Sequence, residues 1–307
     1  MASGRTRTIA LRSAPAPFSA RSPAYWLTIV AGAVVTNIVS LSVHVGMLQG
    51  LGVPFPDRSG VSPAAALLNA ALAVLALLTS YDLARVRLAG RPFWQRALIV
   101  AALFAGLKEL LRGSLMDAVV TTGWTFSAAQ MLSSTVYSVV LGAVVVGVTP
   151  RLQRLWLRAI AAIVITALMM FAVRPLADAL FAPLLASLAH LKHADVYPFP
   201  YGWHVLSWAY LTYFEPVIAS IIIAALVWPA LAGSALRRSL KTAALIVLIK
   251  GALLPTFVFS LWNRAGVGAG MLSESQFLFE AILLGLLAAG TWALAQHRRG
   301  SPSGPLP

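Results

Sequence analysis

Lys108, Glu109 and Arg112 share one apolar stretch of the chain and Arg174 and Asp178 share another, while His44, Glu215, Lys250 and Glu280 sit singly in further ones. An ionisable side chain near the centre of a membrane costs about 2.5–3.5 kcal/mol unless it is paired or hydrated, so each of these positions is a candidate functional site. Glu109 and Arg112 are three residues apart and Arg174 and Asp178 four apart, spacings that bring opposite charges together on one helix face. Lys250 has no acid three or four residues away, so its partner must come from another helix. Lys108, Arg112, Arg174 and Lys250 are the cations that a carboxylate or a lipid phosphate would meet. Glu109, Asp178, Glu215 and Glu280 then serve as counter-charges or proton carriers. His44 reads as a hydrogen-bonded packing residue before it reads as a metal ligand.

Depth along the helices groups these residues further. At 1.5 Å per residue, Lys108 lies roughly 18 Å beyond Arg96 and Arg174 about 24 Å beyond Arg158, in a hydrocarbon core about 30 Å thick. Lys250 lies roughly 13 Å beyond Lys241. Most of the set therefore falls in the outer half of the bilayer, where it is expected to line one cavity open to the outside with Lys250 as its floor. Glu274, Asp117 and Arg264 fall near the interface and are expected to be hydrated.

The elements that must carry these residues follow from composition. Hydrophobic residues make up 59% of the 307 positions and charged residues 10%, against about 25% charged in a soluble domain. Eight stretches reach the ~20 residues of a spanning helix, at about 25–49, 64–81, 95–116, 127–149, 156–184, 205–232, 240–262 and 272–296. The second reads as short and the fifth as long, which points to tilt or partial re-entry there. The expected fold is an all-α polytopic bundle of about eight transmembrane helices, forming a single membrane domain over 23–299. The basic tail 1–22 and the segment 300–307 are read as disordered.

The net charge of +14 is concentrated in short clusters between the apolar stretches, which is the pattern of cytoplasmic loops and not of a nucleic-acid face. With the N-terminus inside, the inner segments hold Arg5, Arg7, Arg12 and Arg21; Arg85, Arg87, Arg91 and Arg96; Arg151, Arg154 and Arg158; Arg237, Arg238 and Lys241; and Arg298 and Arg299. The outer loops hold Arg58, Lys192 and Arg264. This asymmetry sets both termini in the cytoplasm of a cell (inner) membrane. The first apolar stretch is too long for a cleaved signal peptide and reads as a retained helix. In the outer loop 185–204, Tyr197, Phe199, Tyr201 and Trp203 read first as an interfacial belt and second as a lid.

The halves 23–150 and 151–299 carry signs of a repeat. Met-Leu-Ser occurs at 131–133 and at 271–273, Lys108 is matched by Lys250, and Leu141-Gly142 with Gly147 is matched by Leu284-Gly285 with Gly290, at separations of 140, 142 and 143 residues. Four helices per half make such a repeat parallel, with its axis along the membrane normal. No zinc-protease, serine-elbow or phosphate-loop motif is present, cysteine is absent, and the aspartates are dispersed. No metal and no cofactor is therefore expected. His190, His193 and Asp195 form at most a weak ligand set in an exposed loop. Three readings follow: a transporter, flippase or channel-like protein for an anionic small molecule or lipid head group; a membrane enzyme at the outer leaflet using Glu215, Glu280 or His44 as acid or base; and a subunit or assembly factor that pairs its charges with a partner chain or a second copy.

Overall fold

Serine followed by proline opens the first two helices. The Ser22 hydroxyl accepts the Tyr25 N–H at 3.3 Å and the Ser62 hydroxyl accepts the Ala65 N–H at 3.2 Å, each satisfying a donor that the first turn leaves unpaired. The computed structural model describes residues 22–192 and 200–299. Among these there is no strand. The helices are α1 (Pro23–Val45), α2 (Pro63–Leu88), α3 (Phe93–Leu107), α4 (Leu110–Asp117), α5 (Trp124–Val148), α6 (Leu155–Leu168), α7 (Arg174–Ser187), α8 (Trp203–Thr212), α9 (Phe214–Val227), α10 (Ala235–Lys250), α11 (Leu253–Phe257) and α12 (Val267–Arg299). The tails and residues 193–199, with His193, Asp195, Tyr197 and Phe199, lie outside the described residues.

Among the described residues, six helical segments are long and apolar enough to cross a membrane: Pro23–Gly50, Pro63–Leu88, Trp124–Arg151, Leu155–Ser187, Trp203–Ala230 and Val267–Arg298. This differs from the expected eight because the third and seventh stretches are interrupted. α3 is an apolar helix of 15 residues that stops at Leu107, and Glu109 takes a left-handed conformation (φ 57°) before α4 resumes. α10 stops at Lys250, where Gly251 turns left-handed (φ 72°) before the five-residue α11. Glycine tolerates that conformation freely, whereas glutamate is strained in it. The second segment is not short, since it runs for 26 residues; Arg85 and Arg87 in its last turn shortened its apolar reading. The fifth stretch is continuous, with α6 and α7 joined by a π-helical turn at Met169–Val173.

The packing brings the two interruptions together. α3 packs along α5 and α10 along α12; α3 also meets α9, and α10 meets α2. Close approach at the first two contacts needs glycine. A Cβ on Gly142 would come closer than 3.0 Å to the backbone of Ala97 and Ala101, and one on Gly285 would do the same to Ala243. Large apolar side chains such as Leu27, Val30, Ile163, Val164, Leu176 and Leu180 remain exposed on the outside of the bundle, as lipid contact requires. At the end carrying the arginine-rich loops, the interior is closed around Leu77, Tyr81, Leu88, Leu103 and Val227, leaving a void of only about 20 Å³. The opposite half contains cavities of about 260 to 460 Å³.

Candidate functional site

The break after α3 places Glu109 where no regular helix would hold it. Its carboxylate is ion-paired with both Arg112 and Lys250. Lys250, at the end of α10, also donates to Glu280 of α12 at 3.2 Å. Glu280 is 3% exposed and accepts the Tyr213 hydroxyl of the α8–α9 junction at 2.9 Å. The same Tyr213 ring lies under both cations, with Lys250 Nζ 5.6 Å and Arg112 Cζ 5.3 Å from its centroid, a cation–π geometry. His44 of α1 completes the group, its Nδ1 4.0 Å from Glu280.

The interruptions expose backbone polar groups, and each is met by a side chain from the opposite half. Glu215, in the first turn of α9, accepts the Leu111 N–H at 3.0 Å and the Arg112 N–H at 2.5 Å, so its carboxylate sits at the positive end of α4. Asn69 of α2 donates to the Gly251 carbonyl at 3.3 Å. Lys108 donates to the Lys250 carbonyl at 3.0 Å, so one break caps the other. Unlike Lys250 and Arg112, Lys108 makes no ion pair among the described residues, and it is exposed to the cavities around it.

Three of those cavities adjoin the charge group. One of about 390 Å³ is lined by His44, Phe55, Arg112, Asp117, Tyr201 and Phe277. A second, of about 340 Å³, is lined by Phe55, Arg58, Lys108, Glu109, Lys250 and Phe277. Phe55 and Phe277 line both and form the partition between them. His44 packs on these rings, 5.8 Å and 4.8 Å away between centroids. The third, of about 260 Å³, is lined by Phe104, Lys108, Ser134, Tyr137, Ser138 and Arg174. At the mouth, loop 51–62 is tied to α12 by the Arg58–Glu274 pair at 2.6 Å and 2.7 Å. Asp57 in this loop has its carboxyl held below the usual range by hydrogen bonds from the Ser59 hydroxyl and N–H.

Of the nine residues singled out by type and spacing, the structure brings together His44, Lys108, Glu109, Arg112, Glu215, Lys250 and Glu280. Arg174 and Asp178 stand apart, paired with each other at 3.0 Å, and of the two Arg174 lines the third cavity. Lys250 is not a floor beneath the others but the centre of the network. Glu274 is not hydrated; it is 2% exposed and paired with Arg58. His44 Nδ1 is buried without a hydrogen-bond partner, so it is not the satisfied packing residue expected, and no group of metal ligands forms among the described residues.

The chain matches no protein-family model, no curated protein and no solved structure. What it does must therefore be read from the site.

Sequence reasoning passed over Tyr213, which is fully buried. A signal was available, because a tyrosine two residues before Glu215 in an apolar run needs a partner for its hydroxyl. Asn69, Phe55 and Phe277 carried no such signal.

Proposed function

We propose that the protein is a membrane carrier for an anionic substrate, crossing the bilayer eight times with both termini in the cytoplasm and its cavities open to the outside. The interrupted stretches count as crossings in this reading, each made of two collinear or bent pieces. The observation that carries it is the meeting of two interrupted helices at a buried group of opposite charges, next to Lys108, which makes no ion pair among the described residues. Carriers place their substrate sites where discontinuous helices meet between repeats, because the broken ends supply polar groups in a region that otherwise has none. The packing supports a parallel repeat: exchanging the halves turns the α3–α5 contact into α10–α12, and α3–α9 into α10–α2. The apolar closure around Tyr81 and Leu88 is the inner gate of an outward-open state.

An outer-leaflet enzyme finds less support. Both Glu215 oxygens are taken by backbone N–H groups, and Glu280 is engaged by Tyr213 and Lys250. The Glu215 carboxylate is thus committed to the start of α4, and Glu280, 3% exposed, is committed through its Oε1.

The test uses purified protein in proteoliposomes on a solid-supported membrane, challenged with carboxylates and phosphate esters, and in parallel with fluorescent anionic lipid analogues. At least one probe should give a substrate-dependent signal. Lys108→Gln should abolish it while shifting the thermal unfolding midpoint little, since Lys108 makes no ion pair among the described residues and a glutamine amide can still donate to the Lys250 carbonyl. No flux with any probe, or full flux in Lys108→Gln, overturns the reading.

A further inference from the structure

The third cavity has features that the central charge group does not use. Its wall is apolar where α2 and α3 form it, at Ala70, Ala73, Val74 and Phe104. Its far side carries two cations, Lys108 and Arg174, and the hydroxyls of Ser134, Tyr137 and Ser138 on α5. Lys108 lines it with an ammonium that donates to the Lys250 carbonyl and makes no ion pair among the described residues. Arg174 donates to Asp178 at 3.0 Å and to Ser134 at 3.2 Å, which uses two of its nitrogens and leaves the third.

The long helix that bears Arg174 changes partners at the π-helical turn Met169–Val173. Before the turn, α6 packs along α2; after it, α7 packs along α5. π-helical turns inside α-helices mark functional positions more often than chance. Past the turn the cavity is lined by Ala70, Ala73 and Val74 of α2 and by Arg174 of α7, so it is the cavity that occupies the gap between these two helices. Two further observations fit such a gap. The Arg174 and Asp178 side chains are 48% and 51% exposed within a segment of spanning length. The same helix presents Phe171, Leu176 and Leu180 on its outside, each more than 60% exposed. A half-exposed ion pair among lipid-facing leucines is costly unless a polar group from the membrane or from water meets it.

We infer that this cavity is the entry site for an anionic phospholipid, whose phosphate lies between Lys108 and Arg174 and whose acyl chains leave through the gap between α2 and α7. A guanidinium beside an ammonium suits a phosphodiester, because the fork of donors can take two phosphate oxygens while the lysine supplies a point charge. The α5 hydroxyls take the remaining oxygens. The inference deepens the carrier reading by naming the class of anion, and rests on it.

Binding and transport are separable by experiment. Purified protein in neutral detergent is titrated with phosphatidylglycerol, with phosphatidylcholine and with inorganic phosphate, and complexes are counted by native mass spectrometry. Phosphatidylglycerol should bind in preference to phosphatidylcholine. Arg174→Gln and Lys108→Gln should each weaken it about tenfold, the loss of one charge-assisted contact. Arg151→Gln, at the opposite end of the bundle, should leave it unchanged. Wild-type affinity in Arg174→Gln, equal binding of phosphatidylcholine, or displacement of the lipid by equimolar inorganic phosphate overturns the lipid site. Lipid binding without flux of any probe would instead refute the carrier and leave the lipid site standing, whereas flux of water-soluble anions without lipid binding would do the reverse.

Discussion

Removing the Lys250 ammonium leaves Glu109 held by Arg112 alone and Glu280 held by Tyr213, and it takes the charge group from neutral to net negative. Arg112 and Lys250 balance Glu109 and Glu280 in the intact protein, while Glu215 is met by the N–H groups at the start of α4. Breaking one side of a buried pair costs about 3–5 kcal/mol, because the surviving charge stays buried without compensation. Lys250→Met should therefore lower the unfolding midpoint in detergent sharply. Adding Glu109→Gln restores neutrality and should recover at least half of the loss. A double variant less stable than Lys250→Met would show that contacts, and not charge balance, hold the group together. This network was only half legible in the sequence. The Glu109–Arg112 and Arg174–Asp178 pairs follow from helical spacing, whereas Lys250 and Glu109 are 141 residues apart, and nothing local says that they meet.

At the scale of the helices, six of the eight expected stretches hold helices of spanning length, and the interruptions in the other two were not equally legible. Gly251 with Pro255 one turn on is a fair sign of a stop. Lys108-Glu109-Leu110-Leu111-Arg112 is made of good helix formers, and its break is imposed by tertiary contacts: Lys250 draws Glu109 out of line and Glu215 takes the N–H groups of the next turn. Strain of this kind is retained where the surroundings over-determine it, as at ligand sites. The glycine contacts offer a direct check of the relation between the halves. Gly142→Ala and Gly285→Ala should each cost about 1–3 kcal/mol through overpacking against α3 and α10, read as matched drops in the unfolding midpoint. Gly290→Ala, where a Cβ meets nothing within 4 Å, should be neutral or slightly stabilising. A large loss at Gly142 with none at Gly285 would show that the two contacts are not equivalent.

The whole molecule turns on whether the interrupted stretches cross. If they do, the connection between α4 and α5 lies outside and that between α5 and α6 inside, which keeps Arg151, Arg154 and Arg158 in the cytoplasm. If the third and seventh stretches only re-enter, chain order would send those arginines out, against the Arg158–Asp82 pair at 2.7 Å that holds the start of α6 at the arginine-rich end of α2. The chain contains no cysteine, so single cysteines can be introduced without a background. With eight crossings, Thr122→Cys should react with a membrane-impermeant maleimide added to right-side-out cells, while Leu152→Cys should react only after permeabilisation. The reverse pattern would establish six crossings with two re-entrant segments. It would also overturn the packing of α3 on α5, in which Gly147 near the end of α5 lies beside Phe93 at the start of α3. The sealed, arginine-rich end and the cavity-bearing end favour the first outcome: a polar interior at one end needs water, and the loops at that end carry few charges that would hinder their export.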